Sequence, residues 1–99
     1  MLQVKGGVLS YTRQLAKKMA NWGGRCNSIS PGAILTEMNK DILEDKAKKQ
    51  AVANENLLKK WIEPKEVSDA VYFLCMSSSI TGIDLIIDAG ESINHTEIK

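Results

Sequence analysis

The sequence has 99 residues, of which 43% are hydrophobic, and a formal net charge of +1 at pH 7. Such a chain has room for one globular domain at most, and its content of large apolar residues excludes a disordered or collagen-like protein. No segment approaches the roughly 18 apolar residues of a membrane span, and no signal peptide precedes the first predicted element. Two distant cysteines do not make a disulfide scaffold, and a single histidine without paired cysteines argues against zinc. We therefore expect a soluble, cytoplasmic protein with no metal site and no membrane partner.

Charge is distributed unevenly along the chain. Residues 1–36 carry five positive charges and no acid, residues 37–66 balance seven acids with seven lysines, and residues 67–99 carry a net charge of −4. The basic first third could meet a phosphate-bearing ligand or nucleic acid, or it could be a solvated helix face, which we favour. Because the chain has only five aromatic residues, and these do not alternate with basic ones, we expect no nucleic-acid partner.

The first predicted element is a helix over residues 2–22. Its apolar residues recur every three or four positions, at Val4, Val8, Tyr11, Leu15, Met19 and Trp22. Gly23-Gly24 ends it, because glycine accepts the left-handed conformation that follows a last helical turn. Residues 25–30 then alternate and stop at Pro31-Gly32, which predicts a strand followed by a turn.

The middle of the chain predicts helices. Apolar residues at helical spacing between Met38 and Trp61 indicate one or two helices, broken near residues 54–56. Glu63-Pro64 opens a further helix, since proline suits the first helical position. The apolar stripe of that helix consists of Val67, Ala70, Val71, Leu74 and Cys75.

The end of the chain predicts a strand and a tail. Residues 83–87 are almost continuously apolar, which is typical of a strand buried on both faces of a parallel sheet. Residues 91–99 predict a surface tail. The order helix, strand, helices, strand therefore indicates an α/β fold with two strands and three or four helices. Two parallel strands alone leave both edges and most of both faces open, so we expect neighbouring strands from another copy or from an upstream segment.

Four groups of residues carry a resemblance to a known family. They are Lys5-Gly6-Gly7; Arg25-x-Asn27-x-Ile29-x-Pro31-Gly32-x-Ile34-x-Thr36; Pro64-x-Glu66-Val67; and Thr81-Gly82 with Asp88-Ala89-Gly90. In order and spacing they resemble the C-terminal half of classical short-chain dehydrogenases/reductases, especially 3-oxoacyl-carrier-protein reductases and glucose dehydrogenase-like members. The resemblance covers nearly all of residues 4–90. It implies that residues 1–90 form the C-terminal portion of a Rossmann-like, doubly wound parallel sheet, incomplete on its own.

The resemblance also implies a function and partners. Family members are oxidoreductases that interconvert carbonyls and alcohols with NAD or NADP, and they commonly associate as dimers and tetramers. The implied partners are thus a small-molecule carbonyl or alcohol and either a second copy of the chain or an intact relative. Residues 37–62 match the variable substrate-binding helices of the family.

The implied site residues follow from the matched motifs. Lys5 matches the lysine of the family's Tyr-x-x-x-Lys pair, which binds the nicotinamide ribose and lowers the pKa of the tyrosine, since a nearby ammonium stabilises a phenolate. Pro31 and Gly32 match the turn that lies against the nicotinamide. Ile34 matches a position whose backbone meets the carboxamide, and Thr36 matches a side chain that contacts the cofactor.

The sequence departs from the family at the catalytic centre. Met1 stands four positions before Lys5, where the family has its tyrosine. Tyr11 cannot replace that tyrosine, because it lies about 240° further round the helix than Lys5. The catalytic serine and the glycine-rich phosphate loop lie upstream in the family and have no equivalent here. Ala89 stands where glycine is commoner. We expect no hydride transfer from this chain alone.

Each candidate site residue also has a purely structural interpretation. Lys5 could be a solvated helix lysine, Pro31-Gly32 a strand-ending turn, and Thr36 a helix cap. These interpretations remain open at this point.

The cysteines, tryptophans and histidine are interpreted structurally. We expect Cys26 and Cys75 to be small buried hydrophobes, and Trp22 and Trp61 to be packing anchors. His95 lies in the polar tail and is interpreted as a surface residue.

Overall fold

The computed structural model describes the backbone of residues 2–94 and the side chains of residues 7–94, so His95 and the side chain of Lys5 lie outside the described part. Within it the elements are α1 (Leu2–Ala20), β1 (Ser28–Pro31), a 3-10 helix (Glu37–Asn39), α2 (Lys40–Glu44), α3 (Lys46–Ala53), α4 (Pro64–Met76), β2 (Asp84–Ile87) and α5 (Glu91–Asn94). The two strands pair in one sheet. This is the predicted α/β order. The five α-helices exceed the expected three or four, because Asp45 separates α2 from α3 and the start of the expected tail forms α5.

The chain divides into two compact units. The first comprises Met1–Ser30 and Asp69–Ile86, and the second comprises Pro31–Ser68 and Ile87–Lys99. None of the described helices has the length and hydropathy of a membrane span.

Helix α1 ends as the sequence predicts. Gly23 has a φ of +73°. The Gly24 N–H donates to the Met19 carbonyl at 2.9 Å, and the Gly23 N–H donates to the Ala20 carbonyl at 3.1 Å. This pair of bonds is the Schellman arrangement, which satisfies carbonyls that the last helical turn leaves without partners.

The buried face of α1 differs from the predicted apolar stripe. Thr12 and Ala16 are buried, whereas Tyr11 is exposed and Trp22 is 80% exposed. Thr12 tolerates burial because its hydroxyl donates to the Val8 carbonyl at 2.7 Å. The prediction that Trp22 is a packing anchor is therefore wrong within this chain, since no described residue covers its side chain.

Strand β1 begins three residues later than predicted, because Arg25 and Asn27 bind elsewhere in the first unit. The Arg25 guanidinium donates to the carbonyls of Leu74, Cys75 and Ile80 at 2.8–3.0 Å. The Asn27 amide donates to the Ile80 carbonyl at 2.9 Å. These bonds supply partners to carbonyls at and just beyond the C-terminus of α4. The side chains of Arg25 and Asn27 therefore cap that helix end, and the strand starts after them.

The exposure of α4 and β2 corrects two further predictions. Ile83 and Ile86 are 38% and 45% exposed, so β2 is not buried on both faces. The physical reason is that neither strand has a second neighbour among the described residues. In the predicted stripe of α4, Leu74 is buried, but Val71 and Cys75 are exposed. Cys75 is thus not a buried hydrophobe.

The second unit carries its own core. Ala53, Trp61 and Ile62 are buried. The Trp61 indole Nε1–H donates to the Lys49 carbonyl at 3.0 Å, which confirms Trp61 as a packing anchor. Helix α3 ends at Ala53, so the break predicted near residues 54–56 is also confirmed.

Candidate functional site

The segment from Pro31 to Thr36 is extended and is held by backbone hydrogen bonds. The Gly32 N–H donates to the Ile87 carbonyl at 2.9 Å, and so continues the pairing of β1 instead of forming the predicted turn. On the other side, the Ile62 N–H donates to the Ala33 carbonyl at 2.8 Å and the Leu35 N–H donates to the Ile62 carbonyl at 2.9 Å. Ile34 and Ile62 thereby form a parallel bridge. The segment has a defined backbone position within the second unit.

Gly32 permits a close approach of two backbone segments. A Cβ atom at this position would lie 3.1 Å from both Cα and Cβ of Asp88. The buried Asp88 carboxylate accepts hydrogen bonds from the N–H groups of Gly90 and Ser92, both at 2.9 Å. Gly32 therefore has a structural role beside the Asp88-Ala89-Gly90 motif.

Two residues of that motif have positive φ angles. Ala89 has a φ of +54°, a conformation that favours glycine, which explains why glycine would suit this position. Gly90 has a φ of +85°, and a Cβ there would lie 2.9 Å from Cβ and Cδ1 of Leu57. The chain therefore needs a glycine at position 90 for two independent reasons.

Ile34 has a backbone N–H that no described residue accepts. Its carbonyl accepts a hydrogen bond from the Asn39 side-chain amide at 2.8 Å and retains a second lone pair. The residue is half-buried. The N–H groups of Gly32 and Leu35 are paired within the chain, so the Ile34 N–H is one of the backbone donors, with those of Ala33 and Thr36, that the segment leaves open to a ligand.

Thr36 precedes the 3-10 helix, but its side chain makes no capping hydrogen bond. Its hydroxyl instead accepts from the Asn39 amide at 3.3 Å. Thr36 lines an open groove of about 650 Å³, the Thr36 groove, which is formed by Leu35, Thr36, Glu37, Lys40, Leu43, Glu44 and Pro64. The groove thus has apolar side chains, those of Leu35, Leu43 and Pro64, beside charged ones. Among the charged side chains, Lys40 Nζ lies 3.9 Å from Glu44 Oε1.

Pro31 is exposed at the end of β1. Lys5 lies in α1, and its side chain is outside the described residues. The described residues contain no group of histidine, cysteine and carboxylate side chains that could hold a metal ion.

A second groove, which the sequence reasoning missed, lies in the same unit. This lysine groove measures about 460 Å³ and is lined by Leu35, Lys46, Lys49, Gln50, Ala53, Lys59, Lys60 and Trp61. The available signal was the local excess of lysine between residues 46 and 60, which contain five lysines and one acid. The balanced charge of residues 37–66 as a whole conceals it.

Glu66 links Lys60, which lines the lysine groove, to the backbone at the start of α4. Its carboxylate accepts a hydrogen bond from the Glu63 backbone N–H at 2.8 Å and another from the Lys60 ammonium at 3.2 Å. These two bonds, the backbone bond first, hold the pKa of Glu66 below its ordinary range. The bond to Glu63 is the carboxylate half of a capping box, and it satisfies a free N–H at the helix start.

Comparisons with known proteins match nearly the whole chain. The sequence profile of the family described as enoyl-(acyl carrier protein) reductase matches residues 1–92. An L-rhamnose 1-dehydrogenase (NAD(P)(+)) from Sphingomonas sp. (strain SKA58) is 36% identical over 92 residues, which are 91% of this chain and 36% of the relative. The 3-oxoacyl-[acyl-carrier-protein] reductase of Homo sapiens is 40% identical over 86 residues, 87% of this chain and 34% of the relative.

Solved structures agree with the sequence matches. A 4-hydroxyisoleucine dehydrogenase complexed with NADH superposes with a TM-score of 0.82 and 28% identity, covering 91% of this chain and 38% of that protein. The chain thus spans little more than a third of the length of these relatives. Together with the profile match, these similarities show that the chain belongs to the short-chain dehydrogenase/reductase family and corresponds to part of its Rossmann-like α/β fold.

Proposed function

We propose that this chain supplies the nicotinamide-facing segment and the substrate-binding helices of an NAD(P)-dependent oxidoreductase that interconverts a carbonyl and an alcohol. The observation that carries the proposal is the Ile34 N–H, which no described residue accepts, in a segment that the hydrogen bonds of Gly32 and Leu35 hold in a defined position. Two relatives support the cofactor class, since one is named for NAD(P)(+) and another was solved with NADH.

The residues present fit a nicotinamide. Its carboxamide has an oxygen that accepts one hydrogen bond and an NH2 group that donates, and Ile34 offers a free N–H and a carbonyl lone pair. The exposed Pro31 ring provides an apolar surface three residues before Ile34, and Gly32 lets the segment lie close to Asp88. When bound, NAD(P) supplies or accepts the hydride.

The other candidate residues have proposed roles around this segment. Thr36 contacts the cofactor with its side chain, and the Thr36 groove takes the carbonyl or alcohol substrate against its apolar walls. Lys5 is assigned, by resemblance, to the nicotinamide ribose and to lowering the pKa of a neighbouring tyrosine.

We further propose that the 99 residues do not transfer a hydride on their own. Met1 occupies the position of the family's tyrosine, and loss of a general acid/base reduces the rate by about 10²–10⁴. The glycine-rich phosphate loop is also absent from the sequence, which removes contacts to the cofactor's pyrophosphate.

A chimera tests this proposal. The 86 residues that match the human 3-oxoacyl-[acyl-carrier-protein] reductase would replace their counterpart in that enzyme, with a tyrosine four positions before Lys5. We expect NAD(P)H-dependent reduction of a ketone by the folded chimera and none by the 99-residue chain. Turnover by the chain alone that survives repurification would contradict the second expectation, and a folded chimera that binds no NAD(P)H would contradict the first.

Ile34 itself can be tested in the same chimera. Ile34→Pro removes the N–H without breaking any hydrogen bond within the chain, and Ile34→Val is the matched control. Because one hydrogen bond contributes about 0.5–1.5 kcal/mol, we expect Ile34→Pro to weaken NAD(P)H binding roughly two- to tenfold and Ile34→Val to leave it unchanged. Equal affinity of the two variants would remove Ile34 from the proposed site.

A second candidate function is a non-catalytic interaction module. It rests on the apolar surface of the first unit, where Trp22, Tyr72, Phe73 and Met76 are all more than half exposed. Such a surface favours pairing with a second copy or with an intact relative. We expect Phe73→Asp to reduce self-association in sedimentation, whereas Met38→Asp, at an even more exposed position of the second unit, leaves it unchanged. A wild-type chain that is a folded monomer at all concentrations would contradict self-association.

A further inference from the structure

The lysine groove concentrates positive charge at one place in the second unit. Four of its lining residues carry ammonium groups, at positions 46, 49, 59 and 60, and no carboxylate is among them. Its floor consists of apolar side chains, including the buried Ala53 and Trp61. The groove is therefore an ammonium-lined opening over an apolar floor.

The fold holds these lysines on a fixed scaffold. Lys46 and Lys49 are three residues apart on α3, which places them on one side of that helix. The Trp61 indole binds the Lys49 carbonyl, and the buried Asn56 side chain bonds both the N–H and the carbonyl of Lys60. The bond from Trp61 to Lys49 thus connects α3 to the segment that carries Lys59 and Lys60, and the two Asn56 bonds fix the backbone of Lys60.

Several of these lysines occupy unfavourable positions. Lys46 and Lys49 lie in the first turn of α3, where the helix dipole disfavours positive charge. The N-cap carboxylate of Asp45 accepts the N–H groups of Ala47 and Lys48 and pairs with neither ammonium group. Lys59 has a φ of +54°, a conformation that costs a residue with a Cβ atom free energy. Such costs are typical of functional positions, where a ligand rather than the fold is the partner.

The chain itself neutralises little of this charge. Lys46 and Lys49 make no ion pair with any described residue. The Lys59 ammonium donates to the Asn54 carbonyl at 2.8 Å, a neutral acceptor. Lys60 pairs with Glu66 at 3.2 Å, where both side chains are nearly half exposed. Three of the four ammonium groups remain available to an anion.

We propose that the lysine groove binds the phosphate group of a small phosphate ester. A phosphate carries close to two negative charges and three acceptor oxygens, so it can bond several ammonium groups at once, and lysine is a common phosphate ligand. The volume of about 460 Å³ lies within the range of small-molecule sites. The apolar floor accommodates the carbon part of the ester. The groove shares Leu35 with the nicotinamide-facing segment, but its ammonium groups lie on α3 and at residues 59–60, so the inference does not depend on the proposed oxidoreductase activity.

Titration of the 99-residue chain at low ionic strength tests this inference. Glycerol 3-phosphate is the probe, inorganic phosphate tests a free anion, and sulfate and glycerol are controls. We expect saturable binding of glycerol 3-phosphate, with amide NMR shifts concentrated at residues 46–50 and 59–61. Sulfate that binds as tightly as glycerol 3-phosphate would overturn the assignment to a phosphate ester.

Two variants localise the binding. Lys46→Gln with Lys49→Gln removes two groove charges, and Lys17→Gln with Lys18→Gln removes the same net charge from α1 in the first unit. We expect the groove pair to weaken binding at least tenfold and the α1 pair to change it less than twofold. Equal effects of the two pairs would show a general charge effect and overturn the proposed site.

Lys59→Gly separates binding from stability. Glycine adopts the positive φ without strain, so this variant should unfold at a higher temperature while it binds glycerol 3-phosphate several-fold more weakly. A weakened affinity in a stabilised protein cannot come from misfolding. Unchanged affinity in both Lys59→Gly and the groove pair would overturn the proposal.

Discussion

The two units bury their apolar residues to very different degrees. Nine large apolar side chains of the first unit are exposed, compared with four of the second, among the described residues. The tryptophans show the contrast most directly, since Trp22 is 80% exposed and Trp61 is 7% exposed. The second unit is therefore packed around its own core, whereas the first presents surfaces that its own residues do not cover. This difference is the physical basis for proposing ligand sites in one unit and an association surface on the other.

The largest expected effect comes from truncating the two tryptophans. Trp61→Ala removes a buried side chain and its hydrogen bond to the Lys49 carbonyl, so we expect a loss of about 3–5 kcal/mol in the free energy of unfolding. Trp22→Ala should change it by less than about 0.5 kcal/mol. Denaturant unfolding at low protein concentration measures both. Similar losses would mean that the two units do not differ as described.

Glycine-to-alanine changes should have opposite signs in the two units. Gly90→Ala combines a positive φ with a contact to Leu57, and we expect it to cost about 1–3 kcal/mol. Gly7→Ala lies in α1 with open space around the new methyl group, and should stabilise by about 0.5–1 kcal/mol. Thermal unfolding of both variants checks the signs. A neutral Gly90→Ala would show that the packing around Leu57 is looser than the structure indicates.

Alanine-to-glycine changes provide a smaller test. Ala89 has a φ of +54°, so Ala89→Gly should relieve strain and stabilise by up to about 1 kcal/mol. Ala20→Gly places glycine in an exposed helical position of α1 and should cost about 0.5–1 kcal/mol. Destabilisation by Ala89→Gly would indicate that the positive φ carries no strain.

The smallest expected effect concerns pH. Because the folded-state pKa of Glu66 is lowered, its contribution to stability is present above the ordinary glutamate pKa and is lost as the pH falls through the lower, folded-state value. Glu66→Gln should therefore flatten the acid side of the stability profile. NMR titration of the carboxyl carbon in Lys60→Gln should show a pKa that rises but stays below the ordinary range, since the bond from the Glu63 N–H remains. A return to the ordinary value would assign the whole shift to Lys60.

Features that depend on a few adjacent residues could be predicted from the sequence alone. The end of α1 at Gly23-Gly24, the start of α4 at Pro64 and the helix break after Ala53 all agree with prediction. Backbone preferences of glycine and proline act locally, so they can be recognised without the fold. The spaced motifs were also sufficient to identify the family.

Which side chains are buried and which charged groups lie close together depends on the tertiary structure. The sequence predicts both tryptophans as packing anchors, but only Trp61 is buried. Ile86 is exposed because the two-stranded sheet has no further strand among the described residues, and Cys75 is exposed on α4. The lysine groove likewise arises when α3 and residues 59–60 come together around Trp61. Burial and electrostatic potential depend on residues that are distant in the chain, and local patterns contain no information about those distances.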